Sequence, residues 1–254
     1  MEQSRKLFIG GNWKSNGDLE FVKSHTAFLN SVEFDANKVE VAVSPIFIHL
    51  PAVLSSIDSR YIVSSQNVSM FDNGAYTGEI SAKQLKDLGV NWTLIGHSER
   101  RQYFGENEEV ISQKLKIALD NGMNVIACIG EKLSERDAGH TIQVVSNQVK
   151  TLVGSISDWN KVVIAYEPVW AIGTGVTATK EQAQEVHAEI RKLLASNVSE
   201  EVAKQVRIIY GGSVTEKNAN ELITQTDIDG FLVGGASLKS GFKTIIESYK
   251  AKNN

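Results

Sequence analysis

Eight short apolar runs, at 7–11, 39–44, 61–65, 92–96, 125–130, 162–166, 207–211 and 230–234, recur along 254 residues. Amphipathic stretches separate most of them. Runs this short, rich in β-branched residues and bounded by turn-forming or charged residues, read as buried strands rather than helix segments. Between two of them Val110, Ile111, Leu115, Ala118 and Leu119 fall on one helical face, and Asn121-Gly122 supplies a stop. Thr179-Lys180-Glu181-Gln182 reads as a capping box opening a helix with Ala183, Val186, Ile190, Leu193 and Leu194 on its inner face. No linker, low-complexity tract or composition shift divides the chain, so residues 1–254 read as one α/β domain. Periodicity alone leaves two architectures open, a single (β/α)8 barrel and a doubly wound open sheet.

The positions of the chemically useful residues favour the barrel. The first run leads into Asn12-Trp13-Lys14, the fourth into His97-Ser98-Glu99-Arg100, and the sixth delivers Glu167. The seventh opens into Gly211-Gly212-Ser213 and the eighth ends in Gly234-Gly235. In a closed barrel the carboxyl ends of all these strands converge on one face. In an open sheet they would be spread too widely to share one small site.

The sixth run carries the densest signal. Val162-Val163-Ile164-Ala165 stops at Tyr166-Glu167, and an apolar loop follows: Pro168, Val169, Trp170, Ala171, Ile172, Gly173, Thr174, Gly175, Val176, Thr177 and Ala178. Apolar in its middle and glycine-rich at its far end, that segment reads as a lid. A carboxylate beneath such a lid is dried out and becomes a stronger base.

Ala165-Tyr166-Glu167-Pro168-Val169-Trp170-Ala171-Ile172-Gly173-Thr174-Gly175, Gly96-His97-Ser98-Glu99-Arg100-Arg101 and Tyr210-Gly211-Gly212-Ser213-Val214 stand in an order and spacing that resemble the triosephosphate isomerases. The resemblance runs from Gly11-Asn12-Trp13-Lys14 to Gly234-Gly235-Ala236-Ser237-Leu238. It implies a TIM barrel and a proton transfer between adjacent carbons of a triose phosphate, through an enediolate, in glycolysis and gluconeogenesis. The roles that come with it belong to the family: Glu167 as the base, and His97 as a neutral electrophile facing the positive start of a short helix at Ser98. Lys14 supplies positive charge and Asn12 positions a substrate oxygen. The phosphate rests on backbone N–H groups of Gly173, Ser213, Gly234 and Gly235. The resemblance implies no metal and no organic cofactor. A phosphosugar-binding barrel without catalysis is the alternative, and the joint presence of Asn12, Lys14, His97 and Glu167 speaks against it.

Gly173-Thr174-Gly175-Val176-Thr177-Ala178 satisfies a dinucleotide fingerprint, but five residues separate it from Glu167, too many for the tight turn such a motif needs. His25, His49, His140 and His187 lack metal-ligand spacing and read as surface or packing residues. Cys128 is the one cysteine, within an apolar run, and reads as a small buried hydrophobe. A net charge of −4 without a Lys/Arg run argues against nucleic acid, so an anionic substrate must be drawn by local cations. Without a membrane-length apolar run or a signal segment, the expected compartment is the cytoplasm.

The segment 66–78 is long for a strand-to-helix connection and carries Met70, Phe71 and Tyr76. By resemblance this loop, from Gln66 to Gly78, inserts into a second copy to make a homodimer. Thr77 would approach the partner's Asn12, and Glu79 would pair with the partner's Arg100. Ser15, Ile46 and Val176 depart from the residues most frequent in the family at those positions and bear on the interface and the lid.

Overall fold

The computed structural model describes residues 5–171 and 178–252. Eight parallel strands close into one barrel in sequence order: β1 (Leu7–Asn12), β2 (Val39–Ser44), β3 (Tyr61–Ser65), β4 (Trp92–Ile95), β5 (Asn124–Ile129), β6 (Val162–Tyr166), β7 (Arg207–Tyr210) and β8 (Gly230–Val233). Closure is explicit, because β1 pairs with both β2 and β8. The open-sheet alternative is thereby excluded. Around the barrel lie α1 (Leu19–Asn30), α2 (Leu50–Ser56), α3 (Ala82–Asp87), α4 (Ser98–Tyr103), α5 (Glu108–Asp120), α6 (Leu133–Asp137), α7 (Thr141–Val153), α8 (Lys180–Asn197), α9 (Glu200–Gln205), α10 (Ala219–Ile223) and α11 (Phe242–Glu247).

Strand side chains alternate between two separate cores, as the two-residue period of a strand requires. Phe8, Ala42, Leu94, Ile126, Cys128, Val163, Ala165, Ile209 and Leu232 form one buried cluster, contributed by alternate strand positions, which fills the barrel. The intervening residues, such as Leu7, Ile9, Val41, Val43, Ile164 and Ile208, join helix residues in a larger outer core. Phe8 and Trp92, with ring centroids 5.2 Å apart, pack the interior near the amino ends of the strands.

The expected helices form where their local chemistry directs. Asn107 caps α5 by accepting from the Val110 N–H, Glu108 and Glu109 sit in its first turn, and Gly122 turns the chain away with φ +74°. Ile111, Leu115 and Ala118 are buried along it, while Val110 and Leu119 are half-buried. The capping box at Thr179 and Gln182 is present at the start of α8, with Ala183, Val186, Ile190 and Leu194 buried and Leu193 packed against the core. Of the histidines read as surface or packing residues, His25, His49 and His187 are buried and His140 is exposed. Cys128 is buried in the barrel interior.

Candidate active site

The barrel's inward register delivers the site. Phe8, Gly10 and Asn12 share one parity along β1, and Val163, Ala165 and Glu167 share it along β6. Asn12 and Glu167 are therefore the last inward positions of their strands. His97 does not share that register. Gly96, at φ +74°, breaks β4 and turns the next residue into the mouth. A side chain at Gly96 would be strained in that conformation.

Asn12, Lys14, His97 and Glu167 line one cavity of about 490 Å³ at the carboxyl ends of the strands. Gly211, Ser213, Leu232, Gly234 and Gly235 line it too. Asn12 and Glu167 are buried at 5% and 2% exposure, too little for solvated surface groups. The Lys14 backbone has φ +53°, left-handed for a residue with a side chain. Its N–H donates to Asn12 Oδ1 at 3.0 Å and its carbonyl accepts from Gln66 Nε2 at 2.7 Å. Gln66 also donates to the Ser44 carbonyl at 2.9 Å, tying the ends of β1, β2 and β3 together. The Lys14 side chain lies over Gly234, where an added Cβ would stand 3.3 Å from Lys14 Cε.

Glu167 is clamped. Its Oε2 accepts from the Ser98 N–H at 3.0 Å, and its Oε1 lies 2.9 Å from His97 Nε2. Its backbone N–H donates to the Ile129 carbonyl at 2.7 Å, and a Cβ on Gly211 would come within 2.8 Å of its Cγ. Burial pushes its carboxyl up, but the charge and hydrogen bond of His97, the Ser98 N–H and the Lys14 cation hold it below the ordinary value. Burial works against charge on His97, while Glu167 and then Glu99 act upward, and the net direction is upward.

That upward direction conflicts with the hydrogen bond at the other ring nitrogen. His97 caps α4, with Nδ1 accepting from the Glu99 N–H at 3.2 Å. A doubly protonated ring has no lone pair for that donor. The bonding pattern assigns a neutral ring with its proton on Nε2, facing Glu167. The upward pull comes mainly from the Glu167 carboxylate, which a neutral Nε2–H already satisfies.

Lys14 Nζ pairs with Glu99 Oε1 at 2.6 Å, so its charge is partly compensated within the mouth. Ser213 Oγ donates to the Ala171 carbonyl at 2.6 Å, and Gly235 opens a short turn (Gly235–Leu238) whose first N–H groups are free of the turn's own bonding. Ile172, Gly173, Thr174, Gly175, Val176 and Thr177 lie outside the described residues. Before them, Trp170 Nε1 donates to Glu131 Oε1 at 3.0 Å and the Tyr166 hydroxyl donates to the same carboxylate at 3.0 Å. The Arg136 guanidinium lies 4.3 Å from the Trp170 ring centre.

Gln66, Glu99 and Glu131 carry structural duties here that had no separate sequence signal. Glu99 lies inside the motif that carries His97 and Arg100, but nothing in the sequence gives it a role of its own. Lys239, Glu216 and Lys217 also line the cavity. Among the described residues no group of three or more His, Cys, Asp or Glu side chains is placed to hold a metal ion. Arg100, which the resemblance pairs with Glu79 of a second copy, pairs within the chain with Glu106, which also takes Lys114.

A family model described as triosephosphate isomerase matches residues 7–249. The triosephosphate isomerase of Neurospora crassa is 53% identical over 246 residues, covering 96% of this chain and 99% of its own. The chloroplastic triosephosphate isomerase of Arabidopsis thaliana is 52% identical over 253 residues, covering 99% of this chain and 80% of its own.

Proposed function

The chain belongs to the triosephosphate isomerase family and interconverts dihydroxyacetone phosphate and D-glyceraldehyde 3-phosphate, and we propose that Asn12, Lys14, His97 and Glu167 carry that reaction. The observation behind this assignment is the convergence of these four groups, from three strand ends, on one cavity. Glu167 takes the carbon-bound proton and returns it to the neighbouring carbon. A carboxylate that accepts two N–H bonds is a weak base, so the reactive arrangement requires Glu167 to give up Ser98 and His97 for the substrate carbon. His97, freed of the carboxylate, then directs its Nε2–H at the oxygen where enediolate charge develops, with Lys14 and Asn12 beside it.

The phosphate is proposed to sit on the N–H groups at Ser213, Gly234 and Gly235, with Gly173 completing the cradle from the lid. Residues 168–178 are proposed to close over Glu167 against Leu232, which lines the cavity opposite. The non-catalytic alternative has no observation in its favour.

The base is tested by Glu167→Gln, since the amide cannot accept the proton. Solvent deuterium incorporation into substrate should fall by about a thousandfold or more, on the scale of general-base catalysis, while substrate binding persists. Exchange at the wild-type rate in the variant removes the assignment.

The pathway context is glycolysis and gluconeogenesis, and the proposed compartment is the cytoplasm, checked by fractionation. Supporting it is the single cysteine, which leaves no internal disulfide to maintain; among the described residues no helix is long and apolar enough to cross a membrane. We read residues 1–254 as one barrel domain. The working form is proposed to be a symmetric homodimer through the loop 66–78, measurable by sedimentation. In its favour are the exposed Ile48 and Leu19, at 71% and 65%, beside a groove of about 660 Å³.

A further inference from the structure

Helix α1 turns Val22, His25, Thr26 and Leu29 inward, the spacing of one buried helical face. Thr26 bonds within its own helix, its hydroxyl donating to the Val22 carbonyl at 2.8 Å. His25 reaches out of the helix. Its Nε2 stands 2.9 Å from the carbonyl of Ser237, 212 positions further along the chain. A carbonyl only accepts, so the ring proton is on Nε2. Burial holds the His25 pKa below its ordinary value, with the Ser237 bond acting against it, so the ring is neutral at pH 7. Aromatic rings hold the imidazole on three sides. It stacks on Phe21 at 4.8 Å between centroids, meets Trp13 edge-on at 5.2 Å and lies tilted against Phe28 at 5.6 Å. An apolar side chain would serve that packing as well. What the imidazole adds is one N–H.

That N–H goes to a carbonyl with no other donor. Among the described residues only His25 bonds to the Ser237 carbonyl oxygen, and Ser237 is fully buried. A buried carbonyl left unpaired is costly. Ser237 in turn fixes Gly234. Its N–H and its hydroxyl both donate to the Gly234 carbonyl, at 2.8 and 2.7 Å. Across a trans peptide the carbonyl and the following N–H point in opposite directions. The Gly234 carbonyl faces Ser237, so the Gly235 N–H faces away from the turn, and Gly235 lines the cavity. Ser237 has little slack on its other side, since a Cβ on Gly11 would stand 3.0 Å from its own Cβ.

We propose that His25 is a positioning residue for the phosphate end of the site: by donating to the Ser237 carbonyl it holds the turn that orients the Gly235 N–H. The chain of bonds runs from His25 Nε2–H to the Ser237 carbonyl, and from the Ser237 N–H and hydroxyl to the Gly234 carbonyl. Every link is a direct hydrogen bond of 2.9 Å or less. His25 touches no substrate and acts only through the turn. The inference rests on the proposed seating of the phosphate on Gly234 and Gly235.

The test uses two substitutions that separate the N–H from the packing. His25→Leu keeps an apolar side chain among the three rings and removes the donor. His25→Gln places an amide N–H near the Nε2 position. In His25→Leu the inhibition constant of inorganic phosphate should rise about tenfold, the scale of one buried hydrogen bond. The kcat/KM for glyceraldehyde 3-phosphate should fall about tenfold further than that for unphosphorylated glyceraldehyde, which does not use the phosphate end. His25→Gln should recover most of both losses. Equal losses in Leu and Gln, or equal losses with the phosphorylated and unphosphorylated substrates, overturn the proposal.

A second measurement needs no variant at 25. With nitrogen-labelled histidine, the His25 ring at pH 7 should carry its proton on Nε2; a bare Nε2 overturns the proposal. Labelled glycine separates this inference from the reading on which it rests. The Gly235 amide resonance of the parent chain should move when inorganic phosphate is added. If it does not move, the phosphate seat falls and the role of His25 falls with it. If it moves and His25→Leu binds phosphate as tightly as the parent, only the role of His25 is removed.

Discussion

His187 illustrates what a single buried side chain does to stability. Its pKa is lowered from the ordinary 6.5 to about 4, with burial the largest cause and the Asp227 bond acting against it. Between those values the unfolded chain binds a proton at this residue and the folded chain does not. Stability therefore rises with pH across the window and is lost on acidification from 6.5 toward 4. The size is roughly 3 kcal/mol for the full window, taking each pKa unit at about 1.4 kcal/mol. Urea unfolding at fixed protein concentration, at pH 6.5 and pH 4.5, should show His187→Gln losing about 2–3 kcal/mol less than the parent chain. Parallel acid losses in the two proteins would disprove the assignment of this proton to His187. None of this is legible in the sequence, where His187 is one polar residue on a helix rich in charge. Glu167 and Asn12 are legible because an apolar run ends at each. The pairing of Lys14 with Glu99 is not, because 85 positions separate them and only barrel closure joins them.

The elements were the most readable level. Each of the eight apolar runs became a strand, because a barrel strand is buried on both faces and needs an unbroken apolar stretch. Boundaries shifted by one residue where a glycine intervened, as at Gly96, whose positive φ cannot continue β4. Less visible was how the segment after β6 is anchored. Trp170 and Ala171 are fastened to Glu131 and Ser213, residues from other loops, and only the folded chain brings them together. These attachments give the segment a fixed root before residue 172. If the segment is the proposed lid, removing 172–175 leaves the anchors at Trp170 and Ala171 in place. The expected result is a loss of about a hundredfold in isomerisation, the scale of a disturbed catalytic geometry, with methylglyoxal and inorganic phosphate released from the unprotected enediolate. Coupled assays for isomerisation and for methylglyoxal decide it. A slow enzyme without extra methylglyoxal would mean that the segment orients substrate but does not shield the intermediate.

At the scale of the whole molecule, one loop joins surface to site. Residues 66–78 begin at Gln66, which holds the Lys14 carbonyl, and continue through Val68 and Ser69, which are buried. Beyond them the tip is exposed, yet it is ordered by its own chemistry: Phe71 and Tyr76 stack with centroids 4.2 Å apart and planes within 7°. A pre-stacked aromatic tip lowers the ordering cost of docking into another surface. The groove lined by Ser15, Gly17, Leu19, Ile46, Ile48 and His49 lies just past Lys14 in sequence, on the same rim of the barrel. A tip from one copy in the groove of another makes a self-complementary pair, which two-fold symmetry doubles. Ser15 and Ile46 both line that groove, and the small Ser15 leaves room that a bulkier residue would fill. In the proposed dimer this contact would steady the left-handed Lys14 backbone from outside while each copy keeps its own cavity. Replacing 70–76 with a short Gly/Ser turn, with Gln66 retained, should give a folded monomer. Its turnover should be lower by about a hundredfold, the scale of a catalytic group displaced by an ångström. Sedimentation velocity and steady-state rates on the same sample are the measurements. A fully active monomer would show that the contact does not support Lys14, and a dimer that survives the replacement would place the interface elsewhere.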